Sequence, residues 1–449
     1  MTSLTSCPVP RPGIPRRAVL AAGTALPLAT IGLAACSEGA GPGEAGEPDL
    51  AAEVPRADPG PAEGAGTLTV PFSARLLGAV DRSAVNTVCS PLSAQVALTM
   101  AGLGAAGDTR AQMEEVLGRS IDELAATANT LSSVLAAIGD EEREKADDEE
   151  PEPAVAALVN GTWLQEDLAV EQEFLEGLAT HFGSGVYQVD FTDERKREQG
   201  RGRVNDWVAD ATNDLIEDLI PEGALDASTR LVLVNALHLK AAWPQPLSSA
   251  GGTFTTGAGE EVSAEMLSGP TSSWYEDDLC RATALDTAGN ALALALVQPA
   301  ADLASVLDTW VDAAVDPGAG LAALLDGLER GEATTELTFP GFDIDGDASL
   351  MEILQGLGMT DAFTAAADFS GITTQEELAI SAVLQKAVIT VDEGGMEAAA
   401  ATAVGAGAVS APADVHELVL DSPFLFVAYE RTTRAPLVLG WIGDPTQTR

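Results

Sequence analysis

The chain has 449 residues, room for one large domain or two to three ordinary ones, and at 46% hydrophobic it can fill a substantial core rather than stay disordered. Its 23 Lys and Arg face 69 Asp and Glu, a formal charge of −46, and only Lys145, Lys196, Lys240 and Lys386 are lysines. A field of that sign repels phosphate and sulfated polysaccharide, so it argues against nucleic acid and heparin-like chains as partners, and it strains the compact state unless salt screens it.

In chain order, Arg16-Arg17 opens an apolar run that ends in Leu33-Ala34-Ala35-Cys36, with no Asp or Glu before Glu38. Paired arginines, a short apolar stretch and small residues before a cysteine describe a twin-arginine-type export signal over residues 1–35. The ending is similar to a lipobox, in which Cys36 is lipidated and becomes the new N-terminus, and about 16 apolar residues are few for a membrane span. The expectation is an exported chain held on the outer face of the cell membrane by lipid at Cys36. Residues 36–66, rich in Gly, Pro, Ala and Glu with no periodic apolar face, read as a flexible tether. Of the remaining cysteines, Cys89 and Cys280 are far apart in apolar-flanked segments, so two buried thiols are favoured over a disulfide, and no CxxC spacing suggests a metal.

From Leu68 to Leu77 the apolar spacing suits a first helix; Asn86 to Pro91 is extended, and Leu92 to Leu103 is helical. Asp108 is placed to cap a helix running to Leu117, and Ile121 to Ile138 is another. Asp140 to Glu152 carries nine carboxylates against Arg143 and Lys145 and reads as a solvated loop. Ala154 to Leu164 follows as a strand, then helices over Glu173–Phe182 and Arg203–Leu219. Leu231 to Leu239 is apolar almost without alternation, the pattern of a strand covered on both faces; 291–297, 335–339 and 388–391 look similar. Helices over 305–311, 320–328 and 349–357 lie between them. The irregular interleaving, without a βαβ rhythm or repeats, gives an α+β class with a large mixed sheet.

No catalytic pattern emerges. His181 ends a helix, His238 lies inside an apolar strand and His416 in a polar loop; none has a partner at a catalytic or metal-binding spacing, so neither an enzyme nor a cofactor or metal site is expected. The informative segment is 391–414, VDEGGMEAAAATAVGAGAVSAPAD, about 25 residues without a core-forming pattern, where loops so long are functional or disordered. Its alternate residues Met396, Ala398, Ala400, Thr402 and Val404 are uncharged, and all but Met396 are small, so one face of this segment could be buried in a sheet.

That segment resembles the reactive-centre loop of serpins, the serine-protease inhibitor family. Other motifs agree in order: Asn86…Ser90-Pro91-Leu92-Ser93; Leu233-Val234-Asn235-Ala236 with Lys240 and Trp243; Leu357-Gly358-Met359 to Phe363; Ala367-Asp368-Phe369-Ser370-Gly371; Asp421-Ser422-Pro423-Phe424; and Leu439-Gly440-Trp441 to Pro445. The resemblance covers about 380 residues from Gly66, making 67–449 a serpin domain. It implies a large central mixed sheet, two smaller sheets, about eight or nine helices and an exposed loop. It further implies a monomeric suicide substrate whose cut loop inserts into the sheet as an extra strand and distorts the captured protease.

In those terms Glu393, Gly394, Gly395, Met396, Glu397, Ala398, Ala399, Ala400, Ala401 and Thr402 form the hinge. Counting 16 residues on from Glu393, or 14 back from Pro423, reaches Val409 and puts the scissile bond at Val409–Ser410, with Ala408–Val409 as the alternative. A small β-branched residue there suits elastase-like or subtilisin-like proteases rather than trypsin's acidic pocket. Ser90, Ser93, Asn235, Trp243 and Gln385 fall in the region where the sheet opens. Gln385 stands where many members carry histidine, Met396 where they carry Thr or Ser, and Gly341 where a lysine pairs with the hinge glutamate. The other functions in view are a serpin scaffold acting as a binding or chaperone module, and a solute-binding lipoprotein.

Overall fold

The structure is a computed structural model and describes residues 46–138, 154–212, 214, 216–396 and 415–449. Cys36, the acidic block, the loop positions Glu397, Ala398, Ala399, Ala400, Ala401 and Thr402, and the bond Val409–Ser410 lie outside the described residues. Among the described residues there are nine α-helices: α1 Val70–Ala79, α2 Pro91–Gly102, α3 Gly107–Leu117, α4 Ile121–Ala136, α5 Gln172–Phe182, α6 Glu194–Ala211, α7 Leu303–Asp312, α8 Gly320–Arg330 and α9 Leu350–Leu357. The strands begin with β1 Asn86–Cys89, β2 Val155–Gln165, β3 Val186–Val189 and β4 Leu231–Ala242. There follow β5 Ser248–Thr255, β6 Glu261–Ser273, β7 Tyr275–Glu276, β8 Cys280–Asp286, β9 Leu292–Pro299, β10 Glu332–Pro340 and β11 Phe342–Ser349. The last are β12 Ile380–Val391, β13 Gly395–Met396, β14 Val415–Val419, β15 Phe424–Glu430 and β16 Ala435–Ile442.

They build three sheets. The central one is ordered β11-β12-β13-β4-β2-β3; a second runs β1-β16-β15-β9-β8-β7, and a four-stranded third runs β14-β10-β6-β5. The central sheet is mixed, because β12–β4 and β2–β3 pair parallel while its other neighbours pair antiparallel. Helix α2 is buried along its whole length, with Pro91 at its first turn where a missing N–H does no harm. It belongs to the largest apolar cluster, with Leu231, Leu233 and Leu237 of β4 and Val383, Ala387 and Ile389 of β12. The opposite face of β2 and β4 packs Val159, Trp163, Val232 and Val234 against Val204, Trp207 and Val208 of α6. Both faces of β4 are therefore covered, and this is why it lacks alternation.

Several expectations need correction. Helix α6 begins at Glu194, nine residues before the expected start, because Asp193 caps it by accepting the Lys196 N–H at 3.0 Å. It ends at Ala211, and Leu219 and Ile220 are buried in irregular chain rather than in a helix. Asp108 caps nothing: α3 begins at Gly107, and Asp108 sits in its first turn. Strand β12 alternates between buried and half-buried residues, since its second face is only partly covered. His416 lies on β14, not in a loop, and stacks on Trp274 with ring centroids 4.3 Å apart. The stretch read as a tether is, over 46–66, hydrogen-bonded to the body from Asp49 onward. Cys89 and Cys280 are buried free thiols in one apolar cluster.

Candidate functional site

The site is the seam between β12 and β4. Their parallel pairing runs from Ile380–Leu231 to Gln385–Asn235. At the far end the two strands are bridged instead by β13, where Met396 pairs with Val391 on one side and Ala241 on the other. A chain segment has thus begun to enter between them, and Met396 is only 1% exposed there. Gly395 lies so close to β4 that a Cβ on it would sit 2.3 Å from the Ala241 carbonyl oxygen. Only glycine fits.

The turn that delivers these two residues is built by Asp392 and Trp243. Asp392 Oδ1 accepts the N–H groups of Gly394 and Gly395 at 2.8 and 3.0 Å, and its own N–H donates to the Gly395 carbonyl at 3.1 Å. Trp243, 1% exposed, donates its indole Nε1–H to the Asp392 carbonyl and its backbone N–H to the Gly394 carbonyl, both at 2.9 Å. Leu247 N–H reaches the Glu393 carbonyl at 2.8 Å, leaving the Glu393 side chain exposed. Beside them Gly341 donates to the Glu265 carbonyl at 3.1 Å.

At the other end of the seam lies a row of polar side chains under α2. Gln385 faces Asn235 across the β12–β4 pair, and Asn235 faces Asn160 across β4–β2. Gln385, 4% exposed, accepts the Ser90 N–H at 3.2 Å and donates to the Ser90 carbonyl at 2.6 Å. Ser90 Oγ–H in turn donates to the Leu437 carbonyl at 2.8 Å. The Asn235 amide, the Ser93 hydroxyl and Asn160 Oδ1 are buried without a hydrogen-bond partner. An unpaired polar group in an apolar core is destabilising by about 1–3 kcal/mol, so a strand that brought partners to these groups would be stabilised by them.

The structure therefore brings Ser90, Ser93, Asn235 and Gln385 together, and places Trp243 at the opposite end, against the hinge. Two further contributors carry weaker sequence signals. Asn160 was visible as the one amide within the apolar strand 154–164, and Asp392 as an acid two residues before a Gly-Gly pair, the pattern of an Asx turn. Among the described residues no group of three His, Cys, Asp or Glu is placed to hold a metal.

Residues 68–445 match the family model described as Serpin (serine protease inhibitor). The chain is a serpin. Curated relatives agree: it is 29% identical over 370 residues to the serine protease inhibitor of Cyanea capillata, covering 80% of this chain and 92% of that one. It is 31% identical over 370 residues to alpha-1-antiproteinase 2 of Equus caballus, covering 81% and 82% of the two chains. It is 31% identical over 381 residues to plasminogen activator inhibitor 1 of Sus scrofa, covering 80% and 87%. Among solved structures, the native state of the thermophilic serpin Tengpin matches with a TM-score of 0.72 at 24% identity, covering 87% of this chain and 97% of that one. Arabidopsis AtSerpin1 in its native stressed conformation matches at 0.71 and 24%, covering 85% and 98%. This serpin is accordingly a serine protease inhibitor in class and not an enzyme.

Proposed function

We propose that this serpin inhibits by serving as a suicide substrate: a serine protease of elastase-like or subtilisin-like specificity cuts Val409–Ser410, and the freed loop enters the seam between β12 and β4. The observation that carries the reading is the seating of Met396 between Val391 and Ala241. Were the loop to continue from those two pairs at antiparallel register, Ala398, Ala400 and Thr402 would fall opposite Leu239, Leu237 and Asn235 of β4 and opposite Ile389, Ala387 and Gln385 of β12. The alanines meet apolar neighbours. Thr402, the polar member of that face, meets the polar pair, where Asn235 has no partner.

Insertion also has a sufficient driving force. A strand added between two others gains a ladder on each side; at about 1 kcal/mol net per hydrogen bond plus burial, roughly a dozen residues supply about ten kcal/mol or more. Charge repels heparin-like activators, and the target is a protease rather than nucleic acid. We further place the protein outside the cell, monomeric, attached through lipid at Cys36 after removal of residues 1–35, on the strength of the Arg16-Arg17 and Leu33-Ala34-Ala35-Cys36 pattern. Among the described residues no helix is long and apolar enough to cross a membrane.

The test is incubation with pancreatic elastase or subtilisin. The reading expects a protease–serpin adduct that survives boiling in detergent, with the released C-terminal peptide beginning at Ser410. Clean cleavage with undiminished protease activity would instead identify a binding module on a serpin scaffold.

A further inference from the structure

The segment before α1 follows a course that its composition does not suggest. Leu50 forms an antiparallel bridge with Val186 on β3, the edge strand of the central sheet, its N–H donating to the Val186 carbonyl at 3.0 Å and its carbonyl accepting from Val186 at 2.8 Å. The approach is so close that a Cβ on Gly185 would stand 2.1 Å from the Leu50 carbonyl oxygen. Asp49 Oδ2 extends the contact, accepting the Gln188 N–H at 2.7 Å and an Arg203 N–H at 2.9 Å, while that guanidinium lies over Trp163 of β2 at 5.2 Å.

The segment then leaves the sheet and crosses two helices. Ala57 N–H donates to the Thr180 carbonyl of α5 at 2.8 Å. Arg56 Nε–H donates to Asn129 Oδ1 of α4 at 2.6 Å, and Asn129 Nδ2–H donates to the Ala57 carbonyl at 2.9 Å. Asn129 is 2% exposed, so these contacts satisfy an amide that would otherwise be buried and unpaired. Gly60 N–H reaches Thr130 Oγ1 at 2.9 Å; beyond it Gly64 and Gly66 donate to the carbonyls of Thr432 and Thr433, in the turn between β15 and β16 of the second sheet.

The two ends of this arm are therefore fastened to different sheets. Admitting a strand at the seam requires β4, β2 and β3 to part from β12 by one strand spacing, about 4.8 Å. We propose that residues 46–66 are a strap that links β3 to the second sheet, holds the central sheet closed and thereby sets how fast it opens. This rests on the loop-insertion reading for its consequence, but not for its test.

The test is hydrogen exchange on the intact, full chain and on the variants Leu50→Pro, which removes one bridging N–H, and Arg56→Ala, which takes the donor from Asn129 Oδ1. Both are expected to raise exchange of the Leu233 and Val234 amides, in the stretch of β4 that pairs with β12, by about fivefold or more, with the α8 amides unchanged. Acceleration confined to Val186, Gln188 and the α4 contacts would show that the arm only covers the surface, and would overturn the strap. Arg56→Ala keeps the question decidable should Leu50→Pro fail to accumulate. In parallel, a parent chain that traps protease alongside variants with unchanged seam exchange sinks the strap alone. Faster seam exchange in a chain that never traps protease sinks the suicide-substrate reading alone.

Discussion

Gln385 on β12 holds both backbone groups of Ser90, accepting from its N–H at 3.2 Å and donating to its carbonyl at 2.6 Å, and so joins the central sheet to the start of α2. This amide stands where relatives were expected to carry an imidazole, and a primary amide has the donor and the acceptor the two groups need at once. Replacing it by leucine leaves the buried Ser90 N–H unpaired, while the Ser90 carbonyl keeps only the Ala94 N–H at 3.3 Å. Gln385→Leu is expected to lower the stability of the intact form by about 1–3 kcal/mol, seen as an earlier urea midpoint. An unchanged midpoint would mean that Ser90 finds other partners.

Met396 is buried between Val391 and Ala241. A carboxylate at this position has no partner of opposite charge on either neighbour and would lose several kcal/mol of hydration. Met396→Glu is expected to keep the hinge out of the sheet, and since about 1.4 kcal/mol of added barrier slows a step tenfold, the protease escapes first. The measurement is the ratio of cleaved serpin to trapped protease, which should rise at least about tenfold; an unchanged ratio would contradict a gate at Met396.

These two ends of the seam differ in how far they could be read from sequence. The strands β4 and β12 and the helix α2 were legible because long apolar runs and a Pro at a helix start are local signals. The hinge was legible through its alternation of small residues. The register was not: that Gln385, Asn235 and Asn160 fall in one row depends on pairings between segments 75 to 150 residues apart. The attachment of the arm over 46–66 is hidden in the sequence because it uses backbone groups and scattered polar side chains, Asp49 with Arg203 and Arg56 with Asn129, which leave no apolar period. Helix α6 was misplaced because its first ten residues are nearly all polar and its start is marked only by Asp193.

Thr402 is expected to matter only after cleavage. In the inserted strand it would supply a hydroxyl to Asn235, whose amide lacks a partner in the intact protein. Thr402→Val should leave the intact protein's unfolding unchanged and lower the stability of the cleaved form by about 0.5–1.5 kcal/mol. Paired urea titrations of intact and nicked samples check this; an equal loss in both would place Thr402 elsewhere.

Burial pushes the Cys89 thiol up to about 12, and it raises Cys280 as well. A thiol whose folded value lies above its unfolded one contributes stability that is complete below about pH 9 and is lost as pH rises toward about 12. Neither thiol should be alkylated by iodoacetamide at pH 8 until the chain unfolds, as peptide mapping by mass spectrometry would show. Rapid modification of either in the folded protein would contradict its burial.

The central claim is that the intact molecule is held short of its most stable state and reaches it by gaining a strand. The most direct measurement is the thermal midpoint of the intact protein against the same protein nicked at Val409–Ser410. A gain of about ten kcal/mol in a chain this long predicts a midpoint higher by about 10 °C or more after nicking. A nicked protein that melts at or below the intact one would contradict the claim.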